Sequence, residues 1–325
     1  MRRILMRIYQ TAFQKELADL PTKLEVDTLA YRRGLISSQK DCAAYRRSVA
    51  GHEGEQTVLH YLKKYGKNHW IVIPNLWMNY FGNFECDLAL FTKHKCYPLE
   101  VKNYFGDFVF KDGISTLNEQ QLSVNPIFQA RKSYSNIKEI LMKGNFSVPV
   151  EGALIFVGID NYVDIQNEIE DLKIIIRSHL LRYIKQIIKE ENAYNGKSIN
   201  WNHIIPHFGE YERASNFGPH AYSKKLVRKA KKGIFCAKCQ NGHVQVKKFE
   251  IHCHCGHKEN REKAVVRTII EYCKLTLTSV FSSVEIYDFL GGQASKTYLV
   301  NILNKYFQPI NNNRYTKYKV KNSVF

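Results

Sequence analysis

Glu100-Val101-Lys102 sets a carboxylate and an ammonium two residues apart within 96–102, an apolar run that reads as a strand. Side chains alternate along a strand, so Glu100 and Lys102 share one face while Leu99 and Val101 turn to a core. A strand-like run at 86–91 precedes it, with Cys86, Leu88 and Leu90 on its apolar face. If the chain turns at Lys93-His94, Asp87 stands opposite Glu100, because the two are equidistant from the turn. Carboxylates that close repel one another unless a cation lies between them. A hard divalent ion, Mg²⁺ or Mn²⁺, would polarise a phosphodiester oxygen and lower the pKa of a bound water. Lys102 would orient or deprotonate that water, or neutralise charge on phosphorus, with its own pKa brought down towards a useful range by the metal and the polar, partly closed site.

Glu55 is the next candidate ligand. It precedes Val58, Leu59 and Leu62 by helical spacings, so it rides the buried stripe of a helix over 49–65, whereas Glu53 does not. Gly51 and Gly54 would let that helix come close to the sheet. A lone Glu-x-Lys is commonplace on solvated strands. The information lies in the set: an in-phase helical Glu, an Asp before a hairpin, Glu-x-Lys after it, and Asn125-Pro126 opening a helix.

A second constellation lies further along. Cys236-Ala237-Lys238-Cys239 is a CxxC hook, and His252-Cys253-His254-Cys255-Gly256-His257 supplies an irregular second one. Two such hooks make the tetrahedral N/S cage preferred by Zn²⁺. Either Cys253 and Cys255 both ligate, or His252 replaces Cys253 beside Cys255. The set Cys236, Cys239, Cys253 and Cys255 is favoured, since two thiolates neutralise the charge better than a lone imidazole. A closed site of four protein ligands is structural, so no hydrolysis is assigned to this zinc. Four of the eight cysteines fall between 236 and 255, a clustering that favours metal over disulfides in an unexported chain.

The elements that position these residues follow from periodicity. Residues 1–50 read as helical, with Leu17, Leu20, Leu24, Leu29 and Leu35 among charges, and Met1-Arg2-Arg3-Ile4-Leu5-Met6-Arg7 as the front of a basic helix. Strands are expected at 70–73, 86–91, 96–102 and 108–110, then a helix to about Met142, strands at 152–157 and 172–176, and a helix capped by Ser178. From about Asn192 the chain turns polar and basic, ending in Lys224, Lys225, Arg228, Lys229, Lys231 and Lys232, which reads as a linker able to track a phosphate backbone. Beyond the cysteines come a helix at 261–273, a short one at 284–290, another at 294–306, and two strands about Asn311-Asn312-Asn313, the order of a winged helix.

Composition agrees with a nucleic-acid partner. In 325 residues the formal net charge is +18, with 44% hydrophobic and 13% aromatic residues, enough apolar material for a real core. An excess of positive charge repels itself when compact, which points to a polyanion. No apolar run approaches the ~20 residues of a membrane span, and no cleavage site follows the N-terminus. A cytoplasmic protein without membrane attachment is expected.

Gly51, Gly54-Glu55, Asp87, Glu100-Val101-Lys102-Asn103, Gly106 and the run 125–131 resemble, in this order, the motifs of the nuclease-related domain (NERD) family, itself similar to the PD-(D/E)xK nuclease superfamily. The resemblance spans about 45–160. It implies a restriction-endonuclease-like α/β fold, a mixed sheet flanked by helices, with Glu55, Asp87, Glu100 and Lys102 at the catalytic positions. It further implies that Gln129 contacts the substrate or the lysine. Cys86 stands where many of the superfamily have proline. Bacterial members add a basic N-terminal helix, a zinc ribbon and a small helical unit, which implies the bacterial cytosol and the divisions 1–45, 46–191, 192–233, 234–260 (zinc ribbon) and 261–325 (winged-helix-like). The resemblance sets Cys255-Gly256 at the end of the second hook, aligning His252 with the family's cysteine. The function so implied is a Mg²⁺-dependent nuclease acting on DNA. The rival is a non-catalytic DNA-binding protein that keeps the nuclease fold, against which the complete Glu55, Asp87, Glu100 and Lys102 set speaks.

Overall fold

The computed structural model describes residues 6–11, 14–15, 20–213, 218–310 and 316–321. They form two compact units, Met1–Ala18 with Arg47–Asn216, and Asp19–Arg46 with Phe217–Phe325. Among the described residues no helix is long and apolar enough to cross a membrane.

The first unit is mixed α/β. Its strands in chain order are β1 (Arg7–Ile8), β2 (Ile71–Asn79), β3 (Asn83–Phe91), β4 (Cys96–Lys102), β5 (Gly106–Lys111), β6 (Ile114–Leu117), β7 (Gln120–Gln121), β8 (Gly152–Phe156), β9 (Asn161–Ile165) and β10 (Leu172–Ile176). Six of them build a mixed sheet in the order β1-β2-β3-β4-β8-β10, and the other four a smaller sheet, β7-β6-β5-β9. In the larger sheet β4, β8 and β10 run parallel. β8 is buried at every position, as a strand covered on both faces must be.

Strand alternation divides the core. Leu99, Val101 and Ile155 pack with Val58, Leu59 and Leu62 of the helix Gln39–Tyr65 and with Ile184 and Ile187 of the helix Leu180–Ala193. Leu154 and Phe156 point the other way, onto Ile127 and Ala130 of the helix Pro126–Lys143 and onto Phe108 and Phe110. Asn125 caps that helix by accepting from the Ile127 N–H, with Pro126 in its first turn where no N–H is needed. The helix Trp201–Phe208, within the stretch read as linker, buries Trp201, Ile204, Ile205 and Phe208 against Phe91 and Ile137.

In the second unit the helices Lys23–Arg32 and Arg261–Thr276 share a core with the short helices Ser283–Phe289 and Lys296–Tyr306. Two small antiparallel sheets complete it, β11 (Val244–Val246) with β12 (Glu250–Cys253) and β13 (Lys258–Asn260), and β14 (Val280–Ser282) with β16 (Lys317–Val320) and β15 (Phe307–Pro309). Arg33 is fully buried there, its guanidinium 2.6 Å from Glu271 and stacked over Phe289. The basic run begins in a single helical turn, Lys224–Val227, whose Val227 enters the core.

Several elements differ from expectation. Arg7–Ile8 is a strand pairing with Ile71 and Val72, not part of a helix; residues 1–5 and Leu17 lie outside the described residues. Ser178 sits inside a 3-10 turn, and the following helix starts after His179 without a side-chain cap. The last helix starts at Lys296, capped by Ser295. β14 was not expected: three residues gain their strand character only by pairing with β16. Asn311, Asn312 and Asn313 lie outside the described residues.

Candidate functional site

β3 and β4 are antiparallel, with Leu88 facing Leu99 and Ala89 facing Pro98. Continued by one step, this register sets Asp87 opposite Glu100, and the turn closes through Thr92 N–H to Lys95 O at 3.0 Å. Asp87 Oδ2 accepts from the Val101 N–H at 2.7 Å, and Lys102 Nζ donates to Glu100 Oε1 at 2.7 Å. Glu100 is 5% exposed, unusual for a carboxylate with a single cationic neighbour.

Glu55 is brought in by a close approach of its helix. A Cβ on Gly54 would stand 2.8 Å from Asn103 Cβ and 3.2 Å from Val157 Cγ2, so only glycine fits without displacement. Asn103 Nδ2 donates to Ala50 O at 2.8 Å, so the residue after Lys102 clamps the helix that carries Glu55. Gly51 meets nothing within 4 Å and plays no part in that approach. Glu55 is half-buried and Glu53 exposed, as the helical phase requires.

A fourth carboxylate, Glu85, belongs to the same environment. It lies two residues before Asp87 on β3, and Ser133 Oγ of the Pro126 helix donates to its carbonyl oxygen at 2.7 Å. Burial, then Asp87, Glu55 and Glu100, push the Glu85 carboxyl up to about 9. Burial, then Asp87 and Glu100, push Glu55 up to about 8. Burial and Asp87 push Glu100 up to about 7. Asp87 is raised by its burial, against the pull of Lys102 and the Val101 N–H. Four carboxylates thus share one poorly solvated region with Lys102. Their oxygens are hard donors, the kind that suits a divalent cation such as Mg²⁺ or Mn²⁺, and such a cation would relieve the repulsion.

Without a bound cation, the charge of Lys102 is set by its neighbouring acids. Burial disfavours its charge, yet Glu100 and Asp87 outweigh burial and raise its pKa. The decrease expected at Lys102 rested on a bound metal as well as on the partly closed site. Gln129 is exposed on the first turn of its helix, with its N–H bonded to Asn125 O at 3.1 Å. It shares the stripe of buried Pro126, Ala130 and Ser133. Among the described residues no side-chain hydrogen bond ties Gln129 to Lys102.

The four cysteines converge. Cys236, Cys239, Cys253 and Cys255 bring their sulfurs within 4.8 Å of one another. Cys236 Sγ lies 3.7 Å from Cys255 Sγ and Cys239 Sγ 3.4 Å from Cys253 Sγ. Tetrahedral Zn–S bonds of ~2.3 Å require S···S edges of about 3.8 Å, so the set suggests Zn²⁺. The alternative ligand His252 is turned elsewhere. It leaves β12 on the face opposite Cys253, and its Nε2 meets Glu250 Oε2 at 2.9 Å.

The basic run is partly neutralised. Lys224 pairs with Glu285 at 2.7 Å and Lys232 with Asp288 at 2.6 Å, while Lys225, Arg228, Lys229 and Lys231 are exposed. Glu85 is the functional candidate that sequence reading missed. Its signal was the shared parity with Asp87, which separates a site residue from a solvated one only once its burial near Asp87, Glu55 and Glu100 is known.

Residues 50–157 match the family model described as the nuclease-related domain, NERD. The chain therefore carries a nuclease-related domain, and the match encloses Glu55, Glu85, Asp87, Glu100, Lys102 and Gln129. No curated protein and no solved structure matches the chain.

Proposed function

We propose that this nuclease-related domain is an active, metal-dependent nuclease that hydrolyses phosphodiester bonds, with DNA as its substrate. One observation carries the reading: the β3–β4 register sets Asp87 opposite buried Glu100, with Lys102 Nζ on Glu100 at 2.7 Å and Asp87 held by the Val101 N–H at 2.7 Å, and burial with the neighbouring acids raises Glu55, Glu85 and Glu100. A purely structural ion pair has no use for three further acids. Glu55, Asp87 and Glu100 would hold Mg²⁺ or Mn²⁺. When bound, the ion supplies Lewis-acid activation of a phosphoryl oxygen and of water.

Lys102, whose Nζ donates to Glu100 at 2.7 Å, would orient or deprotonate the attacking water, or neutralise charge on phosphorus. In the last of these roles its Nζ hydrogen bonds would steady a non-bridging oxygen as negative charge grows there. The Val101 N–H fixes Asp87, and Asn103 fixes the helix of Glu55, so the set is held before substrate arrives. Water oxygen would bond to phosphorus as the P–O bond to the leaving strand breaks; the water's proton would pass to a carboxylate or to solvent, and the leaving oxygen would take a proton from solvent. Gln129, exposed on the first turn of its helix, would contact the nucleic acid.

The architecture is read as restriction-endonuclease-like over 46–191, with a zinc ribbon at 234–260 and a winged-helix-like unit at 261–325. The order β14, two helices, then β15 and β16 supports the last. These two modules, with Lys225, Arg228, Lys229 and Lys231, are read as nucleic-acid-targeting parts. The test is purified full-length protein on labelled DNA and RNA, with and without Mg²⁺ or Mn²⁺. Glu100→Gln and Lys102→Ala should abolish cleavage and leave binding in place. Equal cleavage by wild type and both variants would remove the assigned site; binding without cleavage in every metal would favour the non-catalytic reading.

A further inference from the structure

The turn between β2 and β3 presents an aromatic ring where the backbone favours none. Asn79 pairs with Asn83, and Tyr80-Phe81-Gly82 close the turn between them. Phe81 holds the left-handed conformation at φ +46°, ahead of Gly82 at φ +94°. Glycine or asparagine is the ordinary choice for such a position, and a bulky side chain is strained there. The side chain of Phe81 is also 82% exposed. Its ring stands 4.7 Å edge-to-face from that of Tyr80, which joins the core below. Strain and an apolar ring left in water thus fall on one residue.

The turn is held against the helix Pro126–Lys143 and beside two cations. Asn136 Nδ2 donates to Tyr80 O at 3.1 Å, and Lys132 Nζ donates to Asn83 O at 2.8 Å. Lys143 Nζ lies 4.8 Å from the centre of the Tyr80 ring. Both lysines are exposed. The carboxylate of Glu139 accepts from Tyr80 Oη at 3.0 Å, so the phenol engages that acid. Phe128 precedes Lys132 by one helical turn, hence on the same face, and it is 53% exposed beside Gln129.

Exposed rings interleaved with ammonium groups suit a strand of nucleic acid, because the rings stack on bases while the ammonium groups meet phosphates. A base inside a duplex already has both faces covered by its neighbours, so such rings serve bases that are unpaired. We infer that Phe81 and Phe128, with Lys132, bind an unpaired DNA strand by stacking on its bases and lead it to the acidic cluster, an inference that rests on the nuclease reading above. Asn83 stands about 13 Å before Asp87 on the extended β3, at about 3.3 Å per residue. A strand held at the turn therefore reaches the carboxylates within a few nucleotides.

The experiment uses full-length protein with zinc in its cysteine site and no added Mg²⁺ or Mn²⁺, so that binding is read without cleavage. The probe is an oligodeoxynucleotide carrying a fluorescent purine analogue, offered as a single strand and as a duplex closed at both ends by non-nucleotide linkers. Anisotropy reports binding, and quenching of the analogue reports stacking. Phe81→Ala should weaken single-strand binding roughly tenfold and relieve the quenching, with the closed duplex bound as by wild type. Phe81→Trp should keep both signals. Phe81→Asn, which suits the left-handed turn, should lose both without lowering the melting temperature, unlike a ring needed for folding. Undiminished single-strand binding in Phe81→Ala/Phe128→Ala, an equal loss on the closed duplex, or a lowered melting temperature in Phe81→Asn would each overturn the inference. A protein that passes these tests and cuts nothing in Mg²⁺ or Mn²⁺ would refute only the nuclease reading. One that cuts DNA and binds both probes alike would refute only the preference for unpaired strands.

Discussion

Replacing Glu85 by Gln should stabilise the metal-free first unit at neutral pH, and the size of the gain follows from the acidic cluster. Burial and the neighbouring Asp87, Glu55 and Glu100 lift the Glu85 carboxyl from 4.5 to about 9. An acid raised on folding makes the native state bind the extra proton, so stability is greatest below the unfolded pKa and falls as pH rises to the folded one. At pH 7 the unfolded chain has released that proton and the folded one retains it. The gap from 4.5 to 7, at 1.36 kcal/mol per pH unit, costs the folded state about 3 kcal/mol. Gln keeps the shape of the protonated acid and has no proton to lose. The advantage of Glu85→Gln should be absent near pH 4, grow through pH 5 to 9, and shrink when Mn²⁺ occupies the cluster. Trp70, Trp77 and Trp201 are the three tryptophans and all lie in the first unit, so their fluorescence during urea unfolding reports that unit alone. Parallel stability–pH curves for wild type and variant would show Glu85 ionised in the native state, and the reasoning about the cluster would fail.

Three further outcomes are expected. Cys236→Ser should reduce bound zinc from one per chain to a trace and lower the melting temperature of the second unit, read by metal analysis and calorimetry. Gly54→Ala should cost about 1–3 kcal/mol and depress metal-dependent cleavage, because its methyl would meet Asn103 Cβ at 2.8 Å and push the helix of Glu55 away. Changing Lys225, Arg228 and Lys229 together to Glu should flatten the salt dependence of DNA affinity, by about 0.9 in slope for each phosphate that is no longer neutralised; an unchanged slope would take the run out of the interface.

What could be read in advance was whatever rests on local period. Asp87 opposite Glu100 needed only a strand pattern and a turn, and Glu55 on the buried stripe needed only helical phase. The helix opening at Asn125-Pro126 needed only a cap and a residue without an N–H. The cysteines announce themselves by type, although choosing Cys253 over His252 required the alternation of β12, which sequence left open. Other features depended on partners distant in the chain. Arg7–Ile8 and Val280–Ser282 are too short to signal a strand and become one by pairing with β2 and β16. The polar stretch after Asn192 concealed Trp201, Ile204 and Phe208, four residues apart or fewer and directed at Phe91.

Glu85 illustrates why charge is harder to read than pattern. On β3 it alternates with buried Phe84 and Cys86, which is how a solvated residue on an amphipathic strand would look. The Pro126 helix is joined to that strand through Ser133 Oγ and Glu85 O, and burial together with Asp87, Glu55 and Glu100 raises the Glu85 carboxyl. The same burial turns a set of ordinary acids into one that cannot all ionise together. A domain has a net stability of only about 5–15 kcal/mol, so a cost of about 3 kcal/mol at one residue is large, and Glu55 adds to it with its carboxyl at about 8. A cation that binds the folded cluster and not the unfolded chain would offset this cost in proportion to its occupancy. Stability and divalent-metal affinity of the first unit should therefore rise together, most strongly between pH 7 and 9 where the acids retain protons only in the absence of metal. A thermal midpoint that ignores Mg²⁺ and Mn²⁺ across that range would mean that the cluster is held for some purpose other than binding a cation.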